Sequence, residues 1–312
     1  MDISVLVLCY HADLSKVYQT LYSILQQKNI EYEIVVSDDG SEYNHYDEIE
    51  EWFKKRKFYN YKFVDNKENQ GTVRNMLSAL EQAEGKYIKA ISPGDFLYAE
   101  NVLSDMVSYM KKENYKVCFG KSAYYLAEDE VHIYPKHNPK DMKVYRNYDF
   151  EKIKHNYFYF QDYVLGASFI MEKDTIENYL NEIKDCVRYA EDISVLCMLI
   201  DDIRIGFWDY FFIWYEYGTG ISTSGKDKWS EIIRNENKAV YKKCMQKDPS
   251  VKKAYAFLYE GKKNFVLELI RKICRNPRFV AFVWDTVLLK KYKKESKGLK
   301  KEGLLQILDS GN

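Results

Sequence analysis

Short apolar runs alternate with amphipathic stretches along the first 120 residues of the chain. The runs are rich in β-branched side chains, which is typical of strands buried on both faces of a sheet. They cover residues 3–9, 32–37, 61–64, 87–91 and 115–119. Between them, apolar residues recur at helical spacing after Asp13 and over residues 43–57, 72–84 and 101–112. This alternation predicts an α/β protein with a mainly parallel central sheet and helices on both faces.

The alternation ends after residue 120. Residues 122–134 are typical of a hairpin or an irregular strand pair, and residues 135–148 are polar and loop-like. Further strands are predicted at 165–171, 203–207 and 211–217, with helices at 175–183 and from 190 onward. From Lys226 the pattern is helical and rich in Lys. We therefore expect one domain over residues 1–224, with halves 1–120 and 121–224, and a helical C-terminal extension over 225–312.

Composition and charge argue against several classes of protein. The 312 residues carry 47 basic and 47 acidic side chains, and this zero net charge argues against binding nucleic acid through bulk charge. Six scattered cysteines without a C-x-x-C motif favour neither a zinc cage nor a disulfide scaffold, and they indicate a reducing compartment. No signal peptide and no apolar run of roughly 20 residues are visible, so we expect a cytoplasmic protein.

Acidic residues follow several of the predicted strands directly. Asp38 and Asp39 end the second run, Asp13 follows the first, and Asp95 ends a Ser-Pro-Gly-Asp turn after the fourth. In open α/β sheets the carboxyl ends of the strands are where ligands bind. Carboxylates there can accept hydrogen bonds from the ring N–H and ribose hydroxyl groups of a nucleotide. The alternative is structural, in which these residues form loops and cap helices.

The order and spacing of these motifs resemble the family 2 inverting glycosyltransferases of the GT-A fold, of the bacterial surface-glycan type. The resemblance covers roughly residues 1–223. It rests on the segments Cys9-Tyr10-His11, Asp38-Asp39-Gly40-Ser41, Asn69-Gln70-Gly71-Thr72-Val73-Arg74-Asn75, Ser92-Pro93-Gly94-Asp95, Glu191-Asp192, and Tyr217 with Gly220-Ile221-Ser222. It implies a GT-A catalytic domain over residues 1–224, with the nucleotide-binding half first and the acceptor half second.

The resemblance implies a UDP-sugar site at the carboxyl edge of the sheet. Tyr10 would lie beside the uracil ring, Asp38 would accept from uracil N3–H, and Asp39 would help with the ribose or the loop. Arg74 would meet the diphosphate with its planar guanidinium. Two alternatives remain open: Tyr10 packs on the sheet edge, and Arg74 is an ordinary exposed helix residue. The full set implied for the nucleotide is Cys9, Tyr10, Asp13, Asp38, Asp39, Gly71, Arg74, Ser92, Pro93 and Gly94.

The turn over residues 92–95 departs from the family pattern, which is usually Asp-x-Asp. Here Ser92 and Gly94 stand in the two acidic positions, and only Asp95, one residue later, is acidic. A hard divalent cation takes oxygen ligands, and one carboxylate plus diphosphate oxygens can hold it. We therefore expect Asp95 to hold Mg²⁺ or Mn²⁺ on the diphosphate. The alternative, with two of the usual acids absent, is that no metal binds here.

The resemblance assigns the chemistry to the acid pair Glu191-Asp192. Inverting transfer needs a base that takes the proton of the acceptor hydroxyl, and Asp192 matches that base. The alternative is a helix N-cap and first-turn acid that interact with the helix dipole. Four residues match positions that face the sugar and the acceptor in the family, namely Gly166, Ala167, Ser168 and Glu191.

We therefore expect an enzyme that moves a hexose from a UDP-sugar to a hydroxyl of an acceptor glycan, lipid-linked or protein-linked. A first rival is a catalytically inactive UDP-binding or scaffold protein of the same fold. A second rival is a nucleotidyltransferase, against which the absence of a Gly-rich, basic loop after the first strand counts. The apolar, aromatic residues 279–289 and the lysines after them suit an interfacial helix at the inner face of the membrane. They suit a packed helix or a dimer contact equally well.

Overall fold

The computed structural model describes residues 1–127, 131–134, 139–218, 227–260, 270, 273, 299 and 301–310. The strands of this part of the chain are β1 (Ile3–Cys9), β2 (Tyr32–Asp38), β3 (Tyr61–Asp65), β4 (Tyr87–Ile91), β5 (Phe96–Leu97), β6 (Val117–Ala127), β7 (Val131–Tyr134), β8 (Phe169–Glu172) and β9 (Ile205–Glu216). The helices are α1 (Leu14–Leu25), α2 (Tyr46–Lys55), α3 (Thr72–Gln82), α4 (Val102–Glu113), α5 (Met142–Arg146), α6 (Phe150–Phe160), α7 (Lys173–Ile183), α8 (Val195–Ile200), α9 (Asp227–Lys247), α10 (Val251–Tyr255) and α11 (Lys301–Asp309).

One sheet holds all of these strands in the order β3-β2-β1-β4-β8-β6-β9-β5, with β7 paired to β6. The half formed by β3, β2, β1 and β4 is parallel throughout. β8 runs antiparallel between β4 and β6, whereas β6 and β9 are again parallel. The predicted α/β class with a mainly parallel central sheet is therefore confirmed.

The two faces of β1 explain why the helices lie on both sides of the sheet. Every residue of β1 is buried, and successive side chains of a strand point to opposite faces. Val5 and Val7 enter a core with α1, α2 and α4, whereas Leu6 and Leu8 enter a second core with α3, α7 and α8. The strand therefore carries no polar alternation, as its continuous apolar run predicts.

Asp13 begins α1 as the sequence predicts. Its Oδ1 accepts the backbone N–H of Ser15 at 2.9 Å and that of Lys16 at 3.2 Å. This side chain satisfies two of the N–H groups that a helix leaves without an internal partner at its start.

Residues 121–224 differ from the predictions in three places. Residues 142–146 are helical as α5, because Met142, Val144 and Tyr145 pack into the core although the segment around them is polar. The strand predicted at 165–171 begins only at Phe169, since Gly166–Ser168 form a 3₁₀ turn. The two strands predicted at 203–207 and 211–217 are a single strand, β9, with a shift in its register against β6 near Lys121.

The C-terminal region begins with α9, as its helical pattern predicts. Val240, Tyr241 and Cys244 of α9 are fully buried in the core that contains α7 and α8. The predicted motif at residues 220–222 and the apolar segment 279–289 with its lysines lie outside the described residues. Within the described ranges, no helix is long and apolar enough to cross a membrane.

Candidate active site

The loops that follow β1 and β2 meet at the carboxyl edge of the sheet. The N–H of Asp39 donates to the Cys9 carbonyl at 2.9 Å, and the N–H of His11 donates to Ser41 Oγ at 2.7 Å. Asp38 accepts the N–H of Ser41 at 2.6 Å and its hydroxyl at 2.8 Å. Cys9, Asp38 and Asp39 thus form one buried cluster, as their positions after adjacent parallel strands predict.

Asp39 connects this cluster to the start of α3. Its carboxylate accepts the N–H of Gln70 at 2.9 Å and that of Gly71 at 2.8 Å. Burial raises the pKa of Asp39, although these two N–H groups and the charge of Arg188 act in the opposite direction. Asp39 therefore shapes the loop over residues 69–71, which is one of the two roles expected for it.

Position 71 accepts only glycine, because a side chain there would be strained and would clash. Its φ is +88°, and a Cβ there would lie 2.2 Å from Cγ of Arg188. The Arg188 guanidinium donates to the backbone oxygen of Asn69 at 2.7 Å and to its side-chain oxygen at 2.9 Å. Arg188 thus covers the predicted nucleotide loop, and sequence reasoning missed it because only the fold brings it there.

Three other predicted nucleotide residues lie at the same edge but in different settings. Tyr10 is 50% exposed, and its ring lies 4.3 Å from that of His11. The carboxylate of Asp13 is used in capping α1. Arg74 points along the surface, where its guanidinium lies 3.0 Å from the carboxylate of the exposed Asp185.

The turn between β4 and β5 is held from three directions. The N–H of Gly94 donates to Thr20 Oγ1 at 3.0 Å, and the Gly94 carbonyl accepts the hydroxyl of Tyr125. The N–H of Asp95 donates to the Ser92 carbonyl at 3.0 Å, which closes the turn around Pro93. The turn is therefore fixed before any ligand binds.

Asp95 is directed inward. Its side chain is 6% exposed, and its Oδ1 accepts the N–H of Glu216 at 3.0 Å. Burial raises the pKa of Asp95 to about 7, and the nearby carboxylate of Glu216 adds to that effect.

Glu216, at the end of β9, brings a second carboxylate to the turn. A Cβ added to Gly94 would lie 2.6 Å from Glu216 Oε2, so Glu216 fills the space into which an acid at position 94 would project. The ammonium of Lys16 lies 2.6 Å from Oε1 and 2.7 Å from Oε2. Neither Lys16 nor Glu216 belongs to a motif in the sequence, and both were missed.

A metal ion at this turn would need oxygen ligands from its substrate. Among the described residues, no group of three or more His, Cys, Asp or Glu side chains could hold a metal ion. Asp95 and Glu216 bring two carboxylates to the turn, and both oxygens of Glu216 already lie within 2.7 Å of the Lys16 ammonium. Carboxylate oxygens suit Mg²⁺ or Mn²⁺, and a cation there would share Glu216 with Lys16 and take its remaining ligands from diphosphate oxygens. The residues present therefore fit a cation that arrives with the nucleotide.

A buried lysine joins this turn to the acceptor half. Lys89 of β4 is 0% exposed, and its ammonium donates to the carbonyls of Ala90, at 2.9 Å, and of Ala167. Burial lowers the pKa of Lys89 to about 7, against the opposite influence of Asp95. Lys89 therefore anchors the segment 166–168 to the strand that leads to Asp95.

The predicted acceptor turn and the predicted acid pair lie against each other. Glu191 and Asp192 begin a 3₁₀ helix, Glu191–Ser194, that leads into α8. A Cβ on Gly166 would lie 3.0 Å from Glu191 Oε1 and 3.2 Å from the Cβ of Asp192. Ser168 is buried and donates its hydroxyl to the Leu165 carbonyl at 2.7 Å. The structure thus unites these positions, which are far apart in sequence.

The acid pair faces an apolar pocket that controls its protonation. Burial raises the pKa of both carboxyls, and the charge of Asp192 raises that of Glu191 further. Backbone N–H groups of Gly166 and Ile193 act to lower the pKa of Asp192. Both carboxyls therefore keep their protons to higher pH than an isolated carboxyl does, and Glu191 does so more strongly than Asp192. The side chains that line the pocket are Met76, Ile88, Ala90, Phe169, Met171 and Ile176.

The family model for glycosyl transferase family 2 matches residues 4–179, which is more than half of the chain. The chain belongs to this family and is a glycosyltransferase. No curated protein matches the sequence. The matched region contains Asp38, Asp39, Gly71 and Asp95, whereas the acid pair Glu191-Asp192 follows it in the chain.

Solved structures show the same fold. The crystal structure of S. aureus TarS 1-349 in complex with UDP-GlcNAc is 17% identical, with a TM-score of 0.56, over 91% of this chain and 81% of that chain. The structure of TarS 1-349 alone is 16% identical, with a TM-score of 0.52, over 91% of this chain and 72% of that chain. The longer S. aureus TarS structure gives a TM-score of 0.53 at 17% identity and is covered over 49% of its length.

Proposed function

We propose that the protein transfers a hexose from a UDP-sugar to a hydroxyl of an acceptor glycan, with inversion at the anomeric carbon. The observation that carries the proposal is the buried pair Glu191-Asp192 packed against Gly166, at the same sheet edge as the Asp38-Asp39 cluster. A UDP-GlcNAc complex of the similar TarS structure supports UDP as the nucleotide of the donor. The acceptor that we propose is a surface polysaccharide or glycoprotein.

In the proposed reaction Asp192 is the general base. The acceptor hydroxyl oxygen attacks the anomeric carbon and gives its proton to the Asp192 carboxylate. The bond between the anomeric carbon and the diphosphate oxygen breaks, and UDP leaves with the bonding electrons. Glu191 stays neutral next to Asp192, which keeps a single negative charge in the pocket.

UDP alone is expected to stabilise the protein, because Tyr10 and Asp38 are proposed to contact the uracil. At about 100 times its Kd, UDP should raise the free energy of unfolding by about 2.7 kcal/mol. Thermal unfolding with UDP, CDP or GDP measures the preference. Asp38→Ala should remove most of the UDP effect, whereas Asp47→Ala, at an exposed position of α2, should keep it. Equal stabilisation by all three nucleotides would contradict the proposed uracil site.

Chelation is expected to stop transfer if Asp95 and Glu216 share a cation with the diphosphate. A divalent cation there would neutralise the charge that develops on the departing UDP. EDTA should abolish activity, and Mn²⁺ or Mg²⁺ should restore it. Calorimetric titration with UDP should show tighter binding with the metal, and Asp95→Asn should reduce that difference. Full activity and unchanged UDP affinity in EDTA would instead assign the neutralising role to Lys16 or Arg74.

The rival of an inactive UDP-binding protein has one observation in its favour, since Ser92 and Gly94 replace the usual acids. UDP binding without transfer or hydrolysis of any sugar nucleotide, in the presence of Mn²⁺, would support that rival. A screen of sugar nucleotides for hydrolysis and for thermal stabilisation separates the two functions and also identifies the donor sugar.

A further inference from the structure

A carboxylate outside the region matched by the family model accepts hydrogen bonds from the backbone of residues 188–190, which directly precede the acid pair. Glu236 of α9 is 7% exposed. Its Oε1 accepts the N–H of Arg188 at 2.9 Å, and its Oε2 accepts the N–H of Ala190 at 3.0 Å. The N–H of Tyr189 lies 3.2 Å and 3.3 Å from the two oxygens. Three successive backbone donors thus converge on one side chain directly before Glu191.

The hydrogen bonds that Glu236 accepts have an ionised acceptor. Hydrogen bonds to an ionised acceptor are roughly twice as strong as those between neutral groups. Buried N–H groups that lose their acceptor carry a desolvation penalty, so without Glu236 the segment 188–190 would have to move or bind water. Glu236 is itself fixed, because Tyr241 on the same helix donates its hydroxyl to the Phe158 carbonyl at 2.8 Å.

The same segment also contacts the proposed nucleotide loop. The Arg188 carbonyl accepts the N–H of Val73 at 3.1 Å, and its side chain lies over Gly71. One end of the segment 188–190 therefore touches the start of α3, and the other end continues into Glu191 and Asp192. A displacement of this segment would move the acid pair relative to the bound donor.

We propose that Glu236 is a positioning residue for the transfer reaction, holding the segment 188–190 so that Asp192 faces the acceptor hydroxyl. This inference rests on the proposed function. Glu236 touches neither the donor nor the acceptor and acts through the backbone. Glu236 thereby connects the helical C-terminal region to the proposed chemistry. The family match, over residues 4–179, does not include that region.

The charge of Glu236 predicts a change in the pH dependence of turnover that a purely structural residue would not produce. Asp192 faces Glu191 beside it, Glu236 from α9, and the hydroxyls of Tyr157 and Tyr163 from α6 and the loop after it. Burial raises the pKa of both tyrosines, so they stay neutral while Asp192 titrates. The negative charge of Glu236 raises the pKa of Asp192. Removal of that charge should move the acid limb of the pH–kcat profile to lower pH.

The test compares Glu236→Gln with Glu231→Gln, an exposed position on the same helix. Misplacement of a reacting group by about 1 Å can cost about 100-fold in rate, so Glu236→Gln should lower kcat by about 10- to 100-fold. Its acid limb should shift to lower pH, and its affinity for UDP in calorimetry should equal that of the unsubstituted protein. Glu231→Gln should match the unsubstituted protein in all three measurements.

The outcomes separate this inference from the proposed function. Unchanged kcat and an unchanged acid limb in Glu236→Gln would overturn the positioning role, while Asp192→Asn still reports on the base. An unsubstituted protein that binds no UDP and turns over no sugar nucleotide would overturn the proposed function itself. If Glu236→Gln does not fold, Glu236→Asp serves, since its carboxylate is one methylene shorter. In that variant full kcat overturns the role, and a loss of kcat at unchanged UDP affinity supports it.

Discussion

Asp192→Asn is expected to reduce turnover by about two to four orders of magnitude, which is the usual contribution of a general base. Asn is nearly isosteric with Asp, and it can still accept the N–H groups of Gly166 and Ile193. Affinity for UDP and the melting temperature should therefore change little. Steady-state kinetics at a fixed donor concentration, together with calorimetry with UDP, measures both quantities.

Glu191→Gln is the matched control for this substitution. Burial and the charge of Asp192 raise the pKa of Glu191, which favours its neutral form, and a neutral amide reproduces the charge and nearly the shape of that form. Turnover in Glu191→Gln should stay within about one order of magnitude of the unsubstituted protein, since no base is removed. Near-normal turnover in Asp192→Asn, with a large loss in Glu191→Gln, would move the base to Glu191. It would leave Asp192 as a first-turn acid of the 3₁₀ helix.

A chain that ends at Ser224 is expected not to fold. It would lose the buried Val240, Tyr241 and Cys244, and the loss of one large core side chain typically costs about 2–5 kcal/mol. Loss of several approaches the whole stability of a domain, about 5–15 kcal/mol. Circular dichroism during heating should show no cooperative transition for this chain.

A chain that ends at Glu260 is the control for the shortened protein. It keeps α9 and α10 and should unfold cooperatively. Its melting temperature should be lower, because Leu304 and Ile307 of α11 also pack in a small core with Phe96 and Trp214. Cooperative unfolding and UDP binding by the chain that ends at Ser224 would instead support a domain boundary there. The contacts of α9 lead us to propose residues 1–260 as one unit.

Local sequence patterns predicted the first half of the fold because each strand and helix there is defined by its own residues. Every residue of β1 is buried, and all but Ser4 are apolar, while Asp13 caps the helix that follows the strand. The cluster of Asp38 and Asp39 was also predictable, because the carboxyl ends of parallel strands lie at the same edge of the sheet, where ligands bind.

The second half depends on contacts between distant residues, which one sequence does not reveal. α5 is short and forms because Met142 and Tyr145 find a core, not because of a periodic pattern. Arg188 and Glu236 have the composition of ordinary surface residues, and their roles come from partners at Asn69 and at the backbone of residues 188–190. Lys16 and Glu216 are 200 positions apart and meet only because β9 ends beside α1.

The close approach of the Glu216 carboxylate to Gly94 limits which residues can be engineered at position 94. Gly94 has a φ of +99°, which disfavours any other residue, and the carboxylate of Glu216 already fills the space beside it. A single step back to the family's acid at position 94 would meet both the backbone strain and a like charge. We therefore expect substitutions at positions 94 and 216 to have non-additive effects on stability. A consensus design that restores one of them without changing the other would start from a worse protein than the natural one.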